Sequence, residues 1–491
     1  MIALTAAEIA TITNGRLAAD PAIEPLSVVT DSREASSGSL YVAKPGEKAD
    51  GHDYVAAAFE RGAVLALVER DVADASGTPY PAVVVDDAVL AMGALAAEVV
   101  RRIRARREAK GTGLTVIGIT GSAGKTTTKD LLSGILGAEG KTVAPQGSYN
   151  GEVGVPLTVF KADYETRYLV IEMGATGIGH IRYLADMVRP DIGVVLGVGT
   201  AHAGEFGGVE NIAKAKGELL EALPASGTGV INLDDPRVAA MENRASSSLL
   251  GFSAQPGRQG RVADVEALNA ETNGTGNPEF ELFLPGENQG LQVSSQLIGA
   301  HHISNLLAAA TAAHAAGIAG PQIARALSSQ SAVSRWRMER IERPDGVTII
   351  NDAYNANPES MRAALKTLAD LGQGRRTWAV LGAMLELGSD SIREHTAVGT
   401  QVVRLNISRL VVVGKEARSL YVSAVQEGSW GDECVFTETA DEAYDLLQAE
   451  LQPGDLVLFK SSNSIGLRHL GDRIALPPHA QATTNEGSEL L

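Results

Sequence analysis

The chain has 491 residues, a formal net charge of −17, 4% aromatic residues and a single cysteine. At ~150 residues per domain this length suggests about three domains, and the acidic balance argues against nucleic-acid or anionic-membrane partners, which basic surfaces bind. Cys434 alone rules out an intrachain disulfide or a multi-cysteine metal site, fits a reducing compartment and reads as a buried, inert thiol.

The start, "MIALTAAEIATITNGRLAAD", lacks a basic leader region, and no run reaches the ~18 apolar residues of a membrane span. A cytoplasmic protein without membrane insertion is expected. Residues 1 to about 85 mix short strands ("LSVVTDSR", "SLYVAKPG", "AVLALVERD", "PAVVVDD") with helical stretches such as 53 to 61, which predicts a small α/β domain over 1–110. A helix from about 86 ends in "VVRRIRARREAKGTG", either a solvated helix end or a linker.

From 114 onward, buried strands ("TVIGIT", "RYLVIEMGA", "DIGVVLGVG", "TGVINLDD") alternate with helices, the pattern of a parallel sheet wound with helices. Residues 254–296 interrupt it with a polar, strand-like stretch, expected to be a β-rich edge of the same domain, 111–332. The Ala-rich "HHISNLLAAATAAHAAG" then resumes as helix. A third α/β series, 333–491, carries the strands "VTIINDAY", "TWAVLGAM", "RLVVVGK" and "DLVLFKSS", with a disordered tail expected from about 476.

Within the second series, "GITGSAGKTTTKD" reads as strand, Gly-rich turn and helix start. Its backbone N–H groups, from Gly121, Ser122, Ala123, Gly124, Lys125, Thr126 and Thr127, would face a nucleotide's phosphates at the positive end of the helix. Lys125 adds charge and Thr126 a hydroxyl for magnesium. Ile119 stands where the general phosphate-loop pattern has its first glycine, so the match is to G-x-x-G-K-T only. Ligands of open α/β sheets gather at strand carboxyl ends, where Glu172, His202 and Asp352 stand; each is either a direct or water-mediated magnesium ligand or a simple loop cap.

The strings "TGSAGKTTTKD", "GVPLT", "EMGA", "GTAH", "FGGVENIAKAKGE", "DAYNANPESM", "VLGAMLELG", "DSRE" and "DGHDYV" together resemble the Mur ligases, in family order from about residue 31 to 470. "EMGA" and "AYNANP" favour the branch that adds D-alanyl-D-alanine over its lysine- or diaminopimelate-adding sibling. The resemblance implies three domains: one for the UDP end, a central ATP and magnesium domain, and a Rossmann-like third domain that closes over the nucleotide. It implies an ATP-dependent ligase acting through an acyl phosphate on UDP-N-acetylmuramoyl-tripeptide and D-alanyl-D-alanine, in peptidoglycan synthesis, as a monomer.

Carried over by position, Lys125 would stabilise the transferred phosphoryl group, Thr126 and Glu172 would hold one magnesium, and His202 a second. Lys216 would be carbamylated by CO2 and support that second ion. Asn305 would read adenine, Arg337 and Asp352 from the third domain would meet the phosphates and ribose, and Tyr354, Asn355 and Asn357 would line the nucleotide or acceptor side. Ser32, Arg33 and Lys44 would contact the uridine nucleotide. The chain departs from the family pattern at Gly151, His302, Ala383 and Lys460-Ser461-Ser462-Asn463-Ser464. The other readings weighed are a sibling ligase with another amine, or a nucleotide switch or scaffold; a guanine switch would want an "NKxD"-like stretch, which is absent.

Overall fold

In the computed structural model, residues 1–46, 49–200, 203–255, 262–428 and 433–476 are described, and they build three sheets. His202 and the tail beyond 476 lie outside the described residues. The first sheet has five strands in the order Arg16–Ala18, Ala82–Val84, Ala63–Val68, Ser39–Val42, Ser27–Val29, parallel except for the first pair. Its β-branched and leucine strands alternate faces, so Leu40, Val42, Leu65 and Leu67 enter one core and Tyr41, Ala66 and Val68 another.

Helix Ala88–Ala109 starts at Asp87, whose side chain accepts from Leu90 N at 2.8 Å. It buries Ala88, Met92, Leu95, Val99 and Ile103, spaced three to four apart, in a core shared with Val116, Leu169 and Ile171 of the next sheet. Its basic end is neither a linker nor freely solvated. Arg104 pairs with Asp191 at 3.0 Å, and the buried Arg107 donates to the Gly113 carbonyl, so the run is pinned onto the second unit.

The second sheet has nine strands in the order Leu291–Ser294, Pro278–Phe283, Val265–Thr272, Ser248–Ser253, Thr228–Asn232, Ile192–Val195, Thr115–Thr120, Tyr168–Glu172, Thr142–Val143. It is parallel up to Val265–Thr272, and two antiparallel strands complete the expected β-rich edge. Thr115–Thr120 lies between a later strand on each side, Tyr168–Glu172 and Ile192–Val195, so the crevice at its carboxyl end is a switch point of the sheet order.

The third sheet runs Glu339–Glu342, Thr348–Asn351, Leu456–Lys460, Thr377–Leu381, Arg409–Val413, Cys434–Thr437, with only the first pair antiparallel. Ile350, Leu381, Val412 and Leu458 fill one core; Ile349, Trp378, Val411 and Phe459 fill the other. Burial pushes the Cys434 thiol up to about 12, which keeps it protonated and inert. Among the described residues, no helix is long and apolar enough to cross a membrane.

Candidate active site

A cleft of about 1170 Å³ opens where the carboxyl ends of the second and third sheets face each other. Its floor is the turn after Thr115–Thr120. Gly124 caps helix Lys125–Gly137 with φ 85°, a left-handed conformation, and a Cβ there would lie 2.2 Å from Asn305 Oδ1. Both the turn and the approach of Asn305 therefore require glycine. All seven residues Gly121, Ser122, Ala123, Gly124, Lys125, Thr126 and Thr127 line the cleft.

Lys125 Nζ donates to the Gly121 carbonyl at 2.8 Å. Burial, aided by the nearby Arg337 charge and opposed by Glu172, holds its pKa below the ordinary lysine value. Glu172, the last residue of its strand, pairs in register with Ile119 and is fully buried. Its Oε2 accepts from Thr126 Oγ1 at 3.1 Å, and its Oε1 accepts from Ser148 Oγ and Asn150 Nδ2, each at 2.8 Å. Three donors compensate a carboxylate that would otherwise be costly to bury.

Lys216 also lines the cleft, buried within helix Val209–Glu221. It has no ion-pair or hydrogen-bond partner among the described residues, and burial together with the charge of Lys125 lowers its pKa to about 7. Asn305, on helix His302–Ala315, directs Nδ2 to His302 Nδ1 at 3.2 Å, leaving His302 Nε2 buried without a partner. Burial keeps both His301, at about 4, and His302 uncharged.

The third sheet brings the opposite wall. Arg337 donates from Nη2 to Thr126 Oγ1 at 3.2 Å, and its guanidinium lies 4.4 Å over the Tyr354 ring. Its neighbours Trp336 and Met338 take φ 58° and 53°, conformations that cost of order 1–3 kcal/mol each. They are held by Trp336 Nε1 bonds to the Asp472 carboxylate and by Met338 N donating to Asp352 Oδ1 at 3.0 Å. Asp352 Oδ2 is bound by the buried Lys460 at 2.5 Å, and Lys460 also donates to Asn355 O at 3.1 Å. Asp352, Tyr354 and Asn355 therefore line the cleft, with the Asp352 charge already engaged.

Ser32 and Arg33 lie in a short turn after strand Ser27–Val29 and Lys44 just after strand Ser39–Val42, and none of the three lines this cleft. Ser32 is buried at the start of a short turn, and the exposed Arg33 pairs with Asp31 at 2.6 Å. Sequence reasoning passed over Ser148 and Asn150, the two donors to Glu172, since nothing but their place before "GVPLT" marks them. In the sequence Lys460 stands out only as the start of the string 460–464 that departs at Ser461 and Asn463, and Glu359, within "DAYNANPESM", has no role of its own there.

Three family models match the chain: the Mur ligase family catalytic domain over 27–107, the Mur ligase middle domain over 119–313, and the Mur ligase glutamate ligase domain over 336–463. The UDP-N-acetylmuramoyl-tripeptide--D-alanyl-D-alanine ligase of Mycobacterium tuberculosis is 41% identical over 96% of this chain and 98% of its own. A crystal structure of MurF from Acinetobacter baumannii is similar with a TM-score of 0.83 and 30% identity, covering 96% of this chain and 99% of that one. The MurF ligase of Thermotoga maritima in complex with ADP gives a TM-score of 0.74 and 26% identity, over 91% of this chain and 97% of that one.

Proposed function

The chain belongs to the Mur ligase family, and from that premise we infer how its cleft joins D-alanyl-D-alanine to UDP-N-acetylmuramoyl-tripeptide at the expense of ATP, in peptidoglycan synthesis. One convergence carries the reading at the residue level. The Thr126 hydroxyl meets Glu172 from its own sheet and Arg337 from the third, beside Lys125 and Lys216. No two of these groups are neighbours in sequence except Lys125 and Thr126.

A carboxylate is a poor electrophile. The tripeptide carboxylate attacks the γ-phosphorus, the bond to the bridging oxygen breaks and ADP leaves with that electron pair. The dipeptide amine then attacks the acyl carbon; the C–N bond forms, phosphate departs with the C–O pair, and the amine's extra proton is lost. Positioning and charge screening supply most of the acceleration of such a transfer. Lys125 and Arg337 stabilise the phosphoryl oxygens, the loop N–H groups other than that of Ser122, which donates to the Gly197 carbonyl, hold the β-phosphate, and Asn305 orients the nucleotide beside Gly124.

Magnesium fits this donor set. Thr126 Oγ1 and a Glu172 oxygen 3.1 Å apart match the one or two protein ligands that a nucleotide-bound magnesium takes. Among the described residues no group of three or more His, Cys, Asp or Glu could hold a metal. When bound, it offsets the charge of the β- and γ-phosphates. Lys216, neutral in part at physiological pH, would add CO2 and lose a proton to become a carbamate, an anion able to support a second ion with His202.

We further propose that residues 1–110 bind the UDP end through Ser32, Arg33 and Lys44, that 111–332 carry ATP, that 333–491 close the site, and that the protein works as a cytoplasmic monomer. The test supplies ATP, magnesium, UDP-N-acetylmuramoyl-tripeptide and D-alanyl-D-alanine, and follows phosphate and the pentapeptide product by mass. Dipeptide-dependent product is expected from the wild type and a loss of at least about a hundredfold in Lys125→Ala. An unimpaired Lys125→Ala would overturn the role given to this lysine.

A further inference from the structure

Glu359 stands in the first turn of helix Pro358–Leu371, in the third unit, yet its partners belong to the second. Its Oε1 accepts from Thr200 N at 3.2 Å and Thr200 Oγ1 at 3.0 Å. The carboxyl lies on the Gly199 backbone, where an added Cβ would come within 2.9 Å of Glu359 Cδ. Any larger residue at 199 would push it away.

Two residues earlier, Asn357 caps the same helix by accepting from Ser360 N at 2.8 Å and sends Nδ2 to the Ser122 carbonyl at 3.4 Å. Ser122 closes the circuit: its Oγ accepts from Gly199 N at 2.9 Å, and its N–H donates to the Gly197 carbonyl at 3.0 Å. One short segment of the third unit thus grips both the phosphate loop and the strand-end segment 197–200 that leads to position 202. The circuit enters the phosphate loop at Ser122, while Glu359 and Thr200 carry no chemical role of their own.

We propose that Glu359 is a positioning residue of the ligation, holding Gly199 and Thr200 so that the phosphate loop and the approach to position 202 are set when the third unit docks. The inference rests on the ligase reading above. Glu359 Oε1 also faces Arg362 Nη2 at 3.6 Å, Oε2 has no hydrogen-bond partner among the described residues, and the side chain stays partly exposed, so the grip is a polar contact at the edge of the joint. Such a contact opens when the third unit withdraws and re-forms with each closure.

Three variants and one double variant test it: Glu359→Ala, Glu359→Gln, Thr200→Val, and Glu359→Ala with Thr200→Val. Losing a hydrogen bond to a charged acceptor should lower kcat of Glu359→Ala about tenfold, with KM for UDP-N-acetylmuramoyl-tripeptide within about twofold of wild type. Glu359→Gln keeps the acceptor oxygen and should stay within about threefold. The double variant should be no slower than Glu359→Ala, because both changes break one contact. Hydrogen exchange at the Thr200 amide should quicken in Glu359→Ala and not in Glu359→Gln. Additive losses, an unchanged kcat in Glu359→Ala, or a Glu359→Gln as slow as the alanine variant would overturn the proposal. A wild type without dipeptide-dependent product would reject the ligase reading itself, a separate failure.

Discussion

Lys216 shows how a single side chain can be prepared by its surroundings. An ammonium without an anion in a buried position is disfavoured, so its pKa falls to about 7, and Lys125 nearby pushes the same way. The neutral amine, which alone reacts with CO2, rises from roughly a tenth of the molecules at about pH 6 to roughly nine tenths at about pH 8. At fixed dissolved CO2, labelled carbamate on Lys216, read by carbon NMR, should therefore grow across that window, and activity should fall in CO2-depleted buffer. A signal independent of pH would mean that the amine is not the titrating group. Arg337 makes the complementary point. Its aim depends on two left-handed neighbours and on Asp472 and Asp352, none of which is suggested by its sequence context "SRWRME".

At the scale of elements, the strands legible in the sequence were those buried on both faces, such as "TVIGIT" and "DLVLFK", because continuous apolar runs leave few alternatives. Strands at sheet edges, Arg16–Ala18, Thr142–Val143 and Glu339–Glu342, are short and half polar, and they form because a neighbour offers backbone partners. Helix packing was equally closed to sequence. Helix Ser391–Arg404 crosses helix Arg418–Glu427 at Gly399, where a Cβ would sit 2.3 Å from the Leu420 carbonyl oxygen. Helix propensity alone would make Gly399→Ala stabilising by ~1 kcal/mol, but moving backbone apart in a packed core costs ~1–3 kcal/mol. The clash wins on these magnitudes, so Gly399→Ala should lower the urea midpoint; a raised midpoint would show that the helices separate freely.

For the whole molecule, the active cleft is an interface. The third unit reaches the phosphate loop through Arg337 on Thr126, Asn357 on Ser122 and Glu359 on Thr200, and through Ser334 N donating to Asp130 at 3.2 Å. The first two units, by contrast, share one core through helix Ala88–Ala109. The third unit also meets the second through Arg340 on the Thr275 carbonyl, Leu371 against Gly276 and Ile298 in its core, but the first two units share a far broader apolar core. That difference predicts which joint moves: the third unit should swing as a body while the first two stay together. Small-angle scattering should give a smaller radius of gyration with ATP analogue and UDP-substrate than without ligand. Superimposable profiles would count against this motion, and Arg337→Ala should weaken the ligand-induced change.

The sequence by itself determined what depends on local order: a phosphate loop from the spacing of Gly121, Gly124, Lys125 and Thr126, two wound parallel series from their buried runs, and a family resemblance from strings in fixed order. It also marked Glu172 and Asp352, because strand carboxyl ends are where such sheets bind ligands. Only the tertiary structure decided that Asp352 is engaged by Lys460, that Glu172 is held by Ser148 and Asn150, that Lys216 has no counter-ion among the described residues, and that Glu359 grips Thr200. These are matters of partner and burial between residues far apart in the chain, and the energies that set charge and hydrogen bonding depend on distance in space, which order along a sequence does not carry.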